Sequence, residues 1–304
     1  MYPTLNAIIA AVYRKSPFQK KKLEKFLGQQ SPAFLAEAEE FFRQFSDYLQ
    51  EQKIEPGYAV DAYLDMCKSM MKAQMYFLKH GKYPASSAVD AYENVYSDEA
   101  GMKSYMFGLA LSQFLWATHY EMFSCFKQAL AGQPAGSYLE IGPGHGLFLH
   151  TAMKLLPPAA RLTAVDISPV SMAITKSIVQ FFHPKAGERI QYHTGDMLNF
   201  SLSEKFDFIT MGEVIEHVNF PEKLLRKLHD LLAPEGRAFV STCVNCPAVD
   251  HVYHFHAIEE IRSMLENCGL RIVEERVLPV EDLPMTEIVR RKITINYCAI
   301  ISAK

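Results

Sequence analysis

Ten carboxylates and imidazoles fall at or just after short apolar runs, at the places where a strand would hand over to a loop. The first run ends in YLEIGPGHGLF, Tyr138 to Phe148, where Glu140 precedes Gly142, Gly144 and Gly146 at alternate positions. Glycines so spaced permit positive φ and let a ligand approach the backbone, and the helix that follows offers unpaired amides. Asp166 closes the next run (LTAVDISP), 20 residues after the last glycine. A carboxylate there is placed to accept both hydroxyls of a ribose, as in dinucleotide-binding folds. Asp196 follows the third run in TGDML, and Glu213, Glu216 and His217 follow the fourth in MGEVIEHV. The loop is not the Gly-x-Gly-x-x-Gly dinucleotide fingerprint, because one residue separates its last two glycines. A phosphate loop is excluded because no Gly-Lys-Ser/Thr follows.

Candidates for proton transfer cluster in AVDHVYHFH after the fifth run: Asp250, His251, Tyr253, His254 and His256. Imidazoles titrate near neutrality and can take a proton from a hydroxyl or amine, although they also cap helices and solvate loops. His251 and His254 are the stronger candidates. Cys243 and Cys246 form a C-x-x-C pair, but a strand would send the two thiols to opposite faces, so they read as buried wall. Glu213, Glu216 and His217 offer ligands for a divalent cation; the reading preferred here is that Glu216 and His217 fix the loop, and no metal is expected.

The elements that must position these groups are legible from periodicity. Strands are expected at 137–141, 161–166, 190–194, 206–211, 237–243, 271–277 and 293–301. Between them lie helices at 147–156, 169–182, 221–232 and 257–267. The alternation implies an α/β fold with parallel crossovers. Residues 1–133 read instead as an all-α domain. A helix opens at the capping Ser31 and Pro32 and runs toward Pro56-Gly57. A second, 60–80, carries Tyr63, Leu64, Cys67, Met70, Met71, Met75 and Leu78 on one face, a stripe expected to be adaptable core. One long helix is expected over 101–130, with aromatics too widely spread around it for a surface element.

Residues 134–304 resemble the class I S-adenosylmethionine-dependent methyltransferases, on LEIGPGHG, AVDIS, TGDM and MGEVIEHV taken together. The resemblance implies a Rossmann-like sheet of seven strands with the last antiparallel. It implies that Glu140 and the loop Gly142, Gly144 and Gly146 hold the methionine part of the cofactor and Asp166 the ribose. Asp196 and the amide of Met197 would take the adenine, with Ile167 packed on its ring and Glu213 nearby. EVIEHV is similar to the small-molecule enzymes of ubiquinone biosynthesis. VSTC, Val240 to Cys243, is similar to the cysteine strand of RNA 5-methylcytosine enzymes, but the place of their second cysteine motif holds Gly212-Glu213. The resemblance implies methyl transfer to a small-molecule oxygen or nitrogen. The alternatives are a cyclase or aminocarboxypropyl transfer resembling azetidine-2-carboxylate and nicotianamine synthases, and a noncatalytic cofactor-binding subunit.

A sulfonium is stabilised by aromatic faces. Tyr92, Tyr96, Tyr105, Trp116 and Tyr120 of the helical half can supply them, with Tyr105 and Tyr120 as catalytic candidates. The chain has 304 residues, with 31 Lys and Arg against 34 Asp and Glu, a net charge of −3. It shows no basic stripe for nucleic acid beyond the solvated face of Lys20, Lys21, Lys22 and Lys25. No apolar run is long enough to span a membrane. Six scattered cysteines and the lack of a leader pattern suggest a cytoplasmic protein. A homodimer through the helical domain is a possible assembly.

Overall fold

The structure, a computed structural model, describes residues 2–92, 98–185, 189–200, 202 and 204–304. The first half is helical: α1 (Pro3–Lys15), α2 (Lys20–Leu27), α3 (Pro32–Glu51), α4 (Tyr58–His80), α5 (Ala88–Ala91), α6 (Glu99–Leu115) and α7 (Ala117–Ala131). Strands and helices then alternate: β1 (Ser137–Ile141), α8 (Leu147–Leu155), β2 (Arg161–Asp166), α9 (Pro169–Phe182), β3 (Ile190–Thr194), β4 (Phe206–Gly212), α10 (Pro221–Leu231), β5 (Leu232–Val244), α11 (Ile258–Asn267), β6 (Leu270–Pro279), α12 (Met285–Arg290) and β7 (Ile295–Ala303).

The seven strands form one sheet in the order β3-β2-β1-β4-β5-β7-β6. β1 to β5 pair in parallel, and β7 runs antiparallel between β5 and β6. The order in which successive strands are added reverses between β1 and β4, which makes the carboxyl ends of those strands the place for a ligand. One apolar core joins α10 and α11 to one face of the sheet. The other joins α8 and α9 to the helical half in a continuous aromatic layer, where Phe126 packs on Phe148, Phe208 and Phe239.

Three expectations for the helical half need correction. α3 opens as expected, Ser31 Oγ accepting from the Phe34 amide at 3.2 Å, but it stops at Glu51. Lys53 turns left-handed (φ 55°) and the Ile54 amide bonds the Leu49 carbonyl at 2.9 Å, a closure that satisfies the last carbonyls. The single helix expected over 101–130 is two. Trp116 is extended (φ −116°, ψ 125°) and its indole N–H donates to Tyr63 Oη at 2.9 Å, so the aromatics of α6 and α7 serve separate packing faces. The stripe on α4 is core only in part: Tyr63 and Leu64 are buried, whereas Met71, Met75 and Leu78 are exposed.

α4 and α6 approach closely at Gly108, where a Cβ would lie 2.9 Å from the Ala62 carbonyl oxygen. That approach sets α6 over the carboxyl end of the sheet, with Met106 beside the glycine loop.

Candidate active site

A cavity of about 970 Å³ runs from the carboxyl ends of β1, β2 and β4 up between α2, α4, α6 and the start of α7. It sits near the top of the range for small-molecule sites.

At its floor, Gly142, Gly144 and Gly146 all adopt positive φ (71°, 55° and 73°). A Cβ on Gly142 would meet Val214 Cγ2 at 2.7 Å. The turn is tied down by the Gly142 amide on the Val165 carbonyl and by Thr175 Oγ1 on the Gly144 carbonyl. Glu140 is 2% exposed and accepts from Tyr138 Oη at 2.8 Å. Burial pushes its carboxyl up to about 8, the Tyr138 hydroxyl opposes this, and the Asp166 charge adds to it. A cationic group at the glycine loop would relieve that cost.

Asp166 accepts one hydrogen bond on each oxygen, from the Ser168 amide at 2.8 Å and Ser171 Oγ at 2.7 Å. Each oxygen keeps a lone pair for a vicinal diol, although burial raises the group's pKa. Beside it, Ile167 is half exposed at the cavity wall, where its apolar side chain is open to a flat ring. Asp196 caps the turn that follows β3, accepting from the Leu198 amide at 2.9 Å, and Met197 is buried next to it. Glu140, Gly142, Gly144, Asp166, Ile167, Asp196, Met197 and Glu213 therefore all line the cavity, whereas Gly146 caps α8 against Thr175.

Glu213 itself is left-handed (φ 53°), its amide donating to the Ser241 carbonyl and hydroxyl. Such backbone strain in a non-glycine residue at a cavity is a mark of function. Its Oε1 is buried without a hydrogen-bond partner among the described residues. Burial and the nearby Glu216 push its pKa well up.

The expected proton-transfer residues divide. His251 and Tyr105 line the cavity. Burial works against the His251 imidazolium, but Cys246, Asp250 and Glu216 outweigh it and raise the ring to about 10. Two others need correction. His254 turns away from the cavity, bonding Asn245 Oδ1 at 2.8 Å and packing on Tyr83 and Phe77, because Phe255 bridges to Val244 and flips its neighbour outward. Tyr120 packs against Phe34 and donates to Glu37 at 2.9 Å, since the break at Trp116 rotates α7 toward α3. Tyr92 and Trp116 line the cavity; Tyr96 lies outside the described residues.

Sequence reasoning missed His119 and His145. Ser112 Oγ gives its one proton to the Leu109 carbonyl at 2.7 Å, so it must accept from His119 Nδ1 at 2.9 Å. The tautomer this assigns leaves Nε2 as the acceptor. Burial, with His145 nearby, lowers His119 to about 4, and burial alone lowers His145 likewise. Both rings line the cavity and are neutral at pH 7. The signal that could have found His145 is its place between two glycines; nothing local marks His119.

The two cysteines also depart from expectation. Asn245 is left-handed (φ 49°), so the chain turns after Cys243 and brings Cys246 back beside it rather than to the opposite face. At the mouth, Lys22 of α2 bonds Glu281 (2.9 Å) and the Val280 carbonyl (3.1 Å), and Lys25 bonds Asp282 (3.0 Å), across to the segment after β6. Lys22 is the only Lys or Arg among the described lining residues, against Glu140, Asp166, Asp196, Glu213, Asp250 and Glu281. The interior thus favours a cation.

The profile of the family described as a methyltransferase domain matches residues 116–275, over half of the chain. The chain belongs to this methyltransferase family. A ubiquinone biosynthesis O-methyltransferase of Xanthomonas axonopodis is 24% identical over 189 residues, 55% of this chain and 76% of that protein. The mitochondrial enzyme of the same name from Schizosaccharomyces pombe is 34% identical over 104 residues, 34% of this chain and 36% of that protein, so the chain spans about a third of that relative. Nodulation protein S of Sinorhizobium fredii is 26% identical over 193 residues, 62% of this chain and 81% of that protein. Among solved structures, the N-methyltransferase NodS of Bradyrhizobium japonicum, in complex with S-adenosyl-L-homocysteine, shares the fold with a TM-score of 0.52 at 18% identity, covering 72% of this chain and 99% of that one. The mitomycin 7-O-methyltransferase MmcR does so at 0.54 and 13% identity, covering 78% and 68%. This is an S-adenosylmethionine-dependent methyltransferase domain with helices preceding it, and its glycine cradle, buried Glu140 and two-sided Asp166 fit that cofactor. Among the described residues no helix is long and apolar enough to cross a membrane.

Proposed function

We propose that the chain methylates an oxygen or nitrogen of a small, largely apolar metabolite. One observation carries this reading: a single acidic cavity continues from the glycine loop into a pocket walled by Tyr63, Cys67, Met70, Tyr105 and Met106. S-adenosylmethionine supplies an activated methyl when bound; the protein must then align an acceptor and exclude water. Asp166 and Ile167 orient the nucleoside end, and Glu140 with the loop orients the amino acid end. Residues 134–304 act as the donor domain and 1–133 as the acceptor domain.

On the acceptor side, His119 Nε2 takes the proton from the acceptor. Tyr105, whose pKa is raised well above its ordinary value by burial and then by Asp250, stays protonated and donates a hydrogen bond to it. The acidic interior speaks against a nucleic-acid substrate. We place the protein in the cytoplasm, although one relative is mitochondrial. A homodimer through the helical domain completes the proposed assembly.

Cyclisation of the cofactor is not favoured, since the named relatives include ubiquinone biosynthesis O-methyltransferases. One assay decides: the protein is incubated with S-adenosylmethionine with and without a metabolite extract. S-adenosylhomocysteine forming only with extract supports methyl transfer; methylthioadenosine without it overturns this reading. His119→Ala should lower kcat about 10²-fold or more while S-adenosylhomocysteine affinity stays the same.

A further inference from the structure

We propose that Cys243, Cys246 and His251 form a zinc-type metal site in the inner wall of the cavity, with Glu216 as the fourth ligand. This goes beyond methyl transfer, which does not require a metal. The two Sγ atoms and a ring nitrogen of His251 lie within 4.8 Å of one another. A Glu216 carboxylate oxygen lies within the same distance of ligand atoms of His251, and likewise of Cys243. In a tetrahedral zinc site, with Zn–S near 2.3 Å and Zn–N near 2.0–2.1 Å, ligand atoms end about 3.3–3.8 Å apart. Closing the cluster to that size takes side-chain rotation that brings Glu216 onto the Cys243, Cys246 and His251 group.

The supporting contacts resemble those that orient metal ligands. Thr242 Oγ1 donates to Glu216 Oε2 at 2.9 Å. The other oxygen, Oε1, has no hydrogen-bond partner among the described residues, although Glu216 is 0% exposed. His251 Nδ1 donates to the Cys246 carbonyl at 2.6 Å, which fixes the ring and makes Nε2 its ligating nitrogen. The Val252 and Tyr253 amides both bond the Glu216 carbonyl, which clamps the histidine loop to the glutamate turn. Glu213 and Asp250 add carboxylates at this end of the cavity, while the one lining lysine sits at the mouth. Two sulfurs, one nitrogen and one oxygen suit zinc; magnesium and calcium prefer six or more oxygens.

The test uses the full chain purified without chelators. Mass spectrometry should find close to one zinc per chain. Replacement by Co²⁺ should give an intense near-ultraviolet thiolate-to-cobalt band with visible bands of tetrahedral cobalt, both displaced by Zn²⁺. Cys243→Ser and Cys246→Ser should each weaken Co²⁺ binding at least tenfold, whereas Cys268→Ser, remote from the cluster, should not; circular dichroism checks that each variant folds. No thiolate band for the wild-type chain in excess Co²⁺ overturns the site, as does a Cys243–Cys246 disulfide found by thiol titration. A band that survives loss of both cysteines overturns it too. If the variants fail to fold, the wild-type cobalt spectrum decides alone. S-adenosylhomocysteine binding by calorimetry tests the donor site separately, so failure of one reading leaves the other standing.

Discussion

The floor of the cavity and its roof are built in opposite ways. The floor is backbone: strand ends, a glycine turn at positive φ, and carboxylates held by amides and hydroxyls of their own loops. The roof is side chains: methionines, tyrosines and one neutral histidine carried on helices that meet the sheet through an aromatic layer. A backbone site recognises one ligand and tolerates little change. A side-chain roof can be refitted to another acceptor without disturbing the donor.

The largest effect that tests this contrast is on the floor. Asp166→Ala should weaken S-adenosylhomocysteine binding by about 1.5 to 3 kcal/mol through lost charge-assisted hydrogen bonds, whereas Tyr105→Phe in the roof should leave that affinity unchanged. Equal losses by calorimetry would erase the distinction. Next, Gly142→Ala forces a Cβ into a left-handed position against Val214 and should destabilise the fold by about 1–2 kcal/mol. Thermal denaturation measures it, and a neutral result would mean the turn is not rigid.

The third prediction concerns protons. Glu140 is raised to about 8, above its ordinary 4.5, so its contribution to stability is fully present below 4.5 and is lost as pH rises through about 8. At pH 7 it is mostly protonated, and binding a cationic amine beside it should release a proton. Titration in buffers of different ionisation enthalpy should show the release, and Glu140→Gln should abolish it. The smallest effect belongs to the mouth. Lys22→Ala removes an exposed ion pair and should change stability by less than about 1 kcal/mol, with salt acting in the same direction. A large loss would show that the roof depends on this strap.

Floor and roof also differed in how far they could be read from the chain alone. β1 and β2 fall at their expected bounds because a buried parallel strand leaves a short apolar run, with Glu140 inside the first and Asp166 closing the second; the edge strand β3 also falls at its expected bounds, with Asp196 just after it. The turn at Lys53 and the break at Trp116 left no comparable mark. Lysine and tryptophan are not turn formers; a local closure by the Ile54 amide on the Leu49 carbonyl and a tertiary bond from the Trp116 indole to Tyr63 decide those positions. His254 and Tyr120 were misassigned for the same reason: a residue's side of a loop or helix depends on partners far along the chain. Asn245 is subtler. Asparagine tolerates the left-handed region, so the turn that reunites Cys243 with Cys246 was open to inference, but strand alternation outweighed it.

Trp116 offers a last consequence. It is the only tryptophan in the chain, it borders the cavity, and its indole is tethered to Tyr63 of α4. Excited where the 15 tyrosines do not absorb, its emission reports on the roof, so an acceptor can be sought by quenching or spectral shift in unlabelled protein. A donor analogue confined to the floor should leave the spectrum nearly unchanged, which turns the search for the natural substrate into an optical screen.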